Sequence, residues 1–222
     1  MELKKNLQTS ETLRLGLLLA FSGGFMDAYS YLYRGHVFTN AQTGNMILFG
    51  IHLSEGNVRE ALRYLLPVLA FTTGIIIADL ARNRYRSSAK NLHWRQAAVL
   101  FEAVILAAVS FMPRGMDLAA NSMTSLACGI QVESFRKIHG HSIATTMCIG
   151  NLRSGTQSLS EYISGGNQDN LKRALIYYGI IGCFVIGAVA GSVIISALEA
   201  KAMMCCSGIL LLVFLIMFRE KL

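Results

Sequence analysis

The sequence predicts an all-α integral membrane domain: six transmembrane helices arranged as two inverted three-span repeats, each carrying a broken or re-entrant polar helix. Three observations lead there. The chain is 53% hydrophobic and only 15% charged, with a mean hydropathy of +0.46, where soluble domains average about 25% charged residues. Its apolar residues are gathered into runs near the roughly 20 residues that a membrane-crossing helix needs. And one segment occurs twice. Residues 24–50, GFMDAYSYLYRGHVFTNAQTGNMILFG, have a degenerate echo in residues 129–155, GIQVESFRKIHGHSIATTMCIGNLRSG. At an offset of 105, Gly24 falls on Gly129 and Gly35-His36 on Gly140-His141; at 106, Gly44-Asn45 falls on Gly150-Asn151.

Taken in order, the first span is 15–33. Lys4, Lys5 and Arg14 precede it as in a signal peptide, but no small-x-small cleavage site ends the stretch, so a retained span is expected. The other expected spans are 64–81, 96–112, 118–135, 174–198 and 202–218. Stretches 38–53 and 142–160 are helical in pattern but too polar to span, holding Asn40, Gln42 and Asn45 in one and Asn151, Arg153 and Gln157 in the other. Repeat 1 covers about 12–112 and repeat 2 about 117–219, within one membrane domain of residues 1–222. At an offset of 113, Tyr64 aligns with Tyr177, Phe71 with Phe184 and Gly74 with Gly187.

Basic residues choose between topologies, because cytoplasmic loops are enriched in Lys and Arg. If the two polar stretches do not cross, fifteen of the 20 Lys and Arg lie on the cytoplasmic side with both termini. If they do cross, the division is ten to nine, with Arg153 stranded in the membrane. Six spans are therefore expected, and three per repeat makes the second copy enter from the opposite face, as in many secondary transporters. Asp79 then sits at the cytoplasmic interface beside Arg82.

The candidate functional residues lie mainly in the broken segments. Irregular backbone survives in a membrane only where protein or a wet cavity satisfies it. Thr39, Asn40, Gln42, Thr43, Gly44 and Asn45, with Thr145, Thr146, Gly150 and Asn151, either line a substrate pathway or cap helices and join spans. Short helices starting there would point positive N-terminal ends inward, suiting an anion or carboxylate. Asp27 lies in mid-span, where a charge costs at least about 2.5–3.5 kcal/mol; it reads as a proton or ion site, or as the partner of a buried base. Glu102 carries the same argument. Glu133 is nearly the mirror of Asp27, or else a cap paired with Arg136 or Lys137. Arg153 binds an anionic substrate, pairs with Glu133 or snorkels to the interface. Arg34, His36, His139 and His141 stand where each broken segment begins and suit gating or proton movement. Gly187 and Gly191 form a GxxxG, a helix-packing signal.

The five cysteines show no metal-ligand spacing, so neither metal nor disulfide framework is expected. No Walker loop, HExxH, GxSxG or GxGxxG is present; no enzyme activity and no cofactor are expected. The net charge of +7 belongs to the loops and does not indicate a nucleic-acid partner. Expected partners are the lipid bilayer and a small polar molecule or ion, with a homo-oligomer left open.

The stretches GGFMDAYSYLYRGHVFTNAQTGNMILFG and FRKIHGHSIATTMCIGNLRSG resemble the YoaK-like family of uncharacterised multi-pass bacterial membrane proteins, a domain-of-unknown-function family. The resemblance covers nearly the whole chain and is most specific at residues 40–45 and at 144–146 with 150–153. It implies about six spans in a bacterial cell membrane and supplies no substrate. The function expected from the residues is a secondary transporter with its substrate between the two broken helices near the bilayer midplane. A channel of the same architecture, or a non-transporting lipid-binding protein, enzyme or assembly factor, are the alternatives.

Overall fold

The computed structural model describes residues 12–85, 92–138 and 141–219. Among them are eight α-helices: α1 (Leu13–Tyr33), α2 (Gln42–Ser54), α3 (Val58–Tyr85), α4 (Leu92–Ser110), α5 (Asp117–Ser134), α6 (Cys148–Gly165), α7 (Gln168–Leu198) and α8 (Met203–Arg219). A two-residue antiparallel hairpin, β1 (Lys137–Ile138) with β2 (His141–Ser142), follows α5. All six expected apolar runs are helical along most of their length. Two stretches, Val58–Arg84 and Gln168–Met217, are long and apolar enough to cross a membrane by length and composition. Leu80, Val104, Val189 and Val193 are each at least 60% exposed, an outer surface suited to lipid rather than water.

Helices α3 and α7 begin six residues before the apolar runs at 64 and 174. Capping explains this. Asn57 Oδ1 accepts from Glu60 N at 3.2 Å, and Asn167 Oδ1 accepts from Asp169 N at 2.9 Å. A capped first turn satisfies its own N–H groups, so the helix starts on polar sequence.

Helix α1 packs along α7, α3 along α5, α2 on α3, α6 on α7, and α4 on α8. Exchanging α1–α4 for α5–α8 leaves this scheme unchanged. The crossings are set by glycines. A Cβ on Gly24 would overlap the carbonyl of Phe184, and one on Gly187 that of Phe21. On the other pair, Gly129 meets the carbonyl of Phe71 and Gly74 that of Leu126. Phe21–Gly187 and Phe25–Gly191 advance together along one pair, and Gly74–Leu126 and Arg82–Glu133 along the other, so α1 runs parallel to α7 and α3 to α5. The main core lies between α1, α4, α5 and α8, around Leu19, Phe25, Leu106, Cys128 and Leu210.

The two polar stretches are interrupted. After α1, Gly35 (φ 84°) and His36 (φ 63°) reverse the chain. Residues 37–41 run back down α1 until Asn40 Nδ2 donates to Gly23 O at 3.1 Å. Helix α2 then returns: His52 stacks on Tyr64 with centroids 5.5 Å apart, and Arg63 Nη2 donates to Gly35 O at 2.8 Å. The segment starts and finishes at the same end of α1. In the second half, residues 143–147 are irregular before α6, with Ile143 fully buried.

Candidate functional site

The two irregular segments converge on one turn of α1. From the first, Asn40 bonds to Gly23 O; from the second, the Thr146 methyl is the atom nearest a Cβ built on Gly23, at 3.1 Å. One turn further, Asp27 Oδ1 accepts from Thr39 N (2.8 Å), Asn40 N (2.7 Å) and Thr39 Oγ1 (3.1 Å). The carboxylate therefore holds the approach to α2, doing from another helix what a capping residue does locally. The inward N-terminal end of α2 does meet a carboxylate, and it is the chain's own.

A cavity of about 770 Å³ opens where the segments meet, within the ordinary range of ligand sites. Asp27, Ala28, Tyr31 and Leu32 of α1 form one wall, and Phe184, Ala188 and Ser192 of α7 another. Residues 40–43 with Phe38, and residues 146–149, complete it. Within a mostly apolar lining, Asp27, Asn40 and Thr146 gather against the 23–27 turn of α1. Asn40 Oδ1 and Thr146 Oγ1 are buried with no hydrogen-bond partner. Among the described residues, no ion pair involves Asp27.

Of the expected site residues, Asp27, Asn40, Gln42, Thr43 and Thr146 line this cavity. Thr39 stands behind Asp27, and Thr145 accepts from Gln131 Nε2 at 3.4 Å. Asn45 and Asn151 brace the segments from equivalent positions: Asn45 Nδ2 donates to Phe38 O (2.6 Å), Asn151 Nδ2 to Ala144 O (2.7 Å), each seven residues back. Gly44 makes room for the Phe38 ring.

Others lie elsewhere. Glu102 is buried in α4 away from the cavity, with Oε1 unpartnered. Glu133 pairs with Arg82 at 2.7 Å and Arg136 at 3.4 Å, and Arg82 also pairs with Asp79. Gly150 and Arg153 line a shallow groove on the exposed face of α6, so Arg153 does not reach Glu133. His36 is exposed, its ring edge-on to Tyr31 at 4.9 Å. His139 and the side chain of His141 lie outside the described residues. Arg34, expected at a gate, is a clamp. It is fully buried, and all five N–H donors are used: Nε on Tyr29 Oη, Nη1 on Pro113 O and Asp117 Oδ1, Nη2 on Val109 O and Met112 O. A guanidinium is always protonated, and in this conformation its donors hold α1 to the end of α4 and the start of α5.

Sequence reasoning passed over the apolar walls. Tyr31 and Phe184 fall in expected spans and Phe38 and Met147 in the two polar stretches, with none of them picked out for the site; only the Phe71–Phe184 correspondence marked one of them. Among the described residues, no group of three or more His, Cys, Asp or Glu side chains is placed to hold a metal ion.

Residues 15–216 match the family described as "Protein of unknown function (DUF1275)". The chain is also similar to the UPF0700 transmembrane protein YoaK of Bacillus subtilis (strain 168), 32% identical over 155 residues. That match spans 67% of this chain and 65% of the relative, just under two thirds of its length. No solved structure matches.

Proposed function

We propose, on the premise that this chain belongs to the DUF1275 family and is a YoaK-like membrane protein, that it is a secondary transporter with its substrate site in the cavity beside Asp27. The supporting observation is an asymmetry between two places that the sequence repeat equates. An offset of 105 carries Ala28, on the cavity wall, to Glu133; an offset of 113 carries Asp79 to Ser192, also on the wall. One location is an open cavity. Its counterpart is shut by the Asp79–Arg82–Glu133–Arg136 cluster. An inverted repeat with one side open and the other latched is the arrangement that alternating access needs.

In this reading six helices cross and α2 and α6 enter without crossing. About 20 residues are needed to span, and α2 has 13. Both termini face the cytoplasm, as the Lys and Arg distribution favours. The cavity faces outward and the ion-pair cluster inward, in a bacterial cell membrane, with Asp27 contacting the substrate. The protein carries out no covalent chemistry. Purified full-length protein in liposomes, given a solute library with and without a pH gradient, should accumulate at least one solute; Asp27→Asn should lower that flux by tenfold or more. Intact protein that moves nothing under any gradient would end the reading.

The apolar walls favour one second reading, a membrane protein that binds lipid without transporting it. An acyl chain retained in the cavity through purification, with no solute flux, would distinguish it.

A further inference from the structure

The cavity has a chemical polarity that narrows its ligand. Among the described residues, its wall at the 23–27 turn of α1 holds one carboxylate, Asp27, with no cation to match. The hydrogen bonds to Asp27 from Thr39 N, Thr39 Oγ1 and Asn40 N all fall on Oδ1. Asn40 spends its Nδ2 donor on Gly23 O and keeps Oδ1 unpartnered. Thr146 Oγ1 is likewise unpartnered. These side chains are 7%, 3% and 2% exposed respectively, all line the cavity, and all sit against the 23–27 turn of α1. Asn40 Oδ1 and Thr146 Oγ1 are shielded behind the lining; the Asp27 carboxylate, which lines the cavity, is the group that a charged N–H donor would meet, and such a hydrogen bond is about twice as strong as a neutral one.

The rest of the lining is largely apolar. Tyr31 and Phe38 stack at 4.9 Å, and the Phe184 ring lies beside the Thr146 methyl against Gly23. Aromatic faces take apolar bodies and favour nearby cations. The rim carries Leu32, Met147 and Ile149, exposed by 51%, 37% and 78%. No Lys, Arg or His lines the cavity, so an anion meets no cationic side chain there.

We infer that the ligand is an amphipathic amine in its protonated form: an aromatic or alkyl body against Tyr31, Phe38 and Phe184, and an ammonium group on the Asp27 carboxylate, beside Asn40 and Thr146. This rests on the cavity being the substrate site, and it replaces the general expectation of a small polar molecule by one chemical class.

Three probes with one ring system test it: tryptamine (cation), tryptophol (neutral) and indole-3-propionate (anion), with phenethylamine and octylamine varying the body. Binding to purified full-length protein in detergent is followed by scintillation proximity with tritiated tryptamine. Saturable tryptamine binding is expected, displaced by the other amines and at least tenfold less well by the neutral and anionic analogues. Asp27→Asn retains an Oδ1 to accept from residues 39 and 40, so it should fold, and should weaken binding about tenfold or more. Thr146→Val, nearly isosteric, should weaken it by a smaller factor, and Ala188→Phe, which fills the cavity, should abolish it. Thermal melting of each variant separates loss of binding from loss of fold.

Equal or tighter binding of the neutral or anionic probe overturns the assignment, as does absence of saturable binding by all three amines. Binding unaffected by both Thr146→Val and Ala188→Phe also overturns it. Liposome flux is read separately. Amine binding without flux supports the ligand class and removes the transport reading, whereas flux of another solute with no amine binding does the reverse.

Discussion

Asp27 and Arg34 are seven residues apart, and both are buried charges. Their surroundings separate them. Arg34 has every donor occupied, three of its bonds falling on carbonyls at the end of α4 or just beyond it. It ties α1 to the start of α5 through Asp117, and its own carbonyl accepts from Asn121 Nδ2 at 2.8 Å. Replacing it by lysine leaves several buried carbonyls without partners, and breaking a buried pair costs about 3–5 kcal/mol. Arg34→Lys should therefore lower the melting temperature in detergent far more than Asp117→Asn, whose side chain is 27% exposed and leaves the backbone bonds intact. Comparable melting of the two variants would contradict the clamp. Asp27 differs in accepting the bonds from Thr39 and Asn40 on one oxygen and in lining a cavity; for that reason the transport reading gives it the substrate contact.

At the level of helices, the glycines divide into two kinds. Gly24, Gly187, Gly74 and Gly129 let two backbones touch, and any Cβ there collides with a carbonyl. Gly50 and Gly179 have nothing within 4 Å of a built Cβ. Gly24→Leu or Gly187→Leu should force α1 from α7 and abolish a folded monodisperse species by size-exclusion chromatography. Gly50→Ala, inside α2, should be neutral or stabilise by about 0.5–1 kcal/mol through helix propensity. If Gly24→Leu leaves the elution profile and melting unchanged, α1 and α7 are not in backbone contact. The repeat in the sequence flagged all four contact glycines as equivalent pairs, although repeat copies do not contact each other there. Gly24 meets α7 and its counterpart Gly129 meets α3, so each half supplies the packing partner of the other.

For the molecule as a whole, the transport reading predicts that the ion-pair cluster controls which side is open. Glu133 is the link between α5 and α3, since it holds Arg82 across the interface. Glu133→Gln keeps the shape and weakens that link. In a background without the five native cysteines, Ser192→Cys should label rapidly from one side of the membrane and Asp79→Cys slowly from the other. Adding Glu133→Gln should slow the first and hasten the second. Unchanged rates at both positions would show that the cluster is only a surface ion pair, the kind usually worth less than about 1 kcal/mol.

Residue periodicity and composition alone determined the helices, the two broken stretches and the polar residues in them, because apolar run length and buried-backbone cost act locally along the chain. They also made Asp27 conspicuous, since a mid-span charge is expensive wherever the chain folds. Tertiary structure decided the rest. Whether Glu133 faces a substrate or Arg82, whether Arg34 gates or clamps, and which apolar side chains wall the cavity depend on neighbours 51 to 153 positions away, such as Arg82 for Glu133 and Phe184 for Tyr31. A side chain's cost of burial is written in its own chemistry; the partner that offsets it is chosen only when the helices meet.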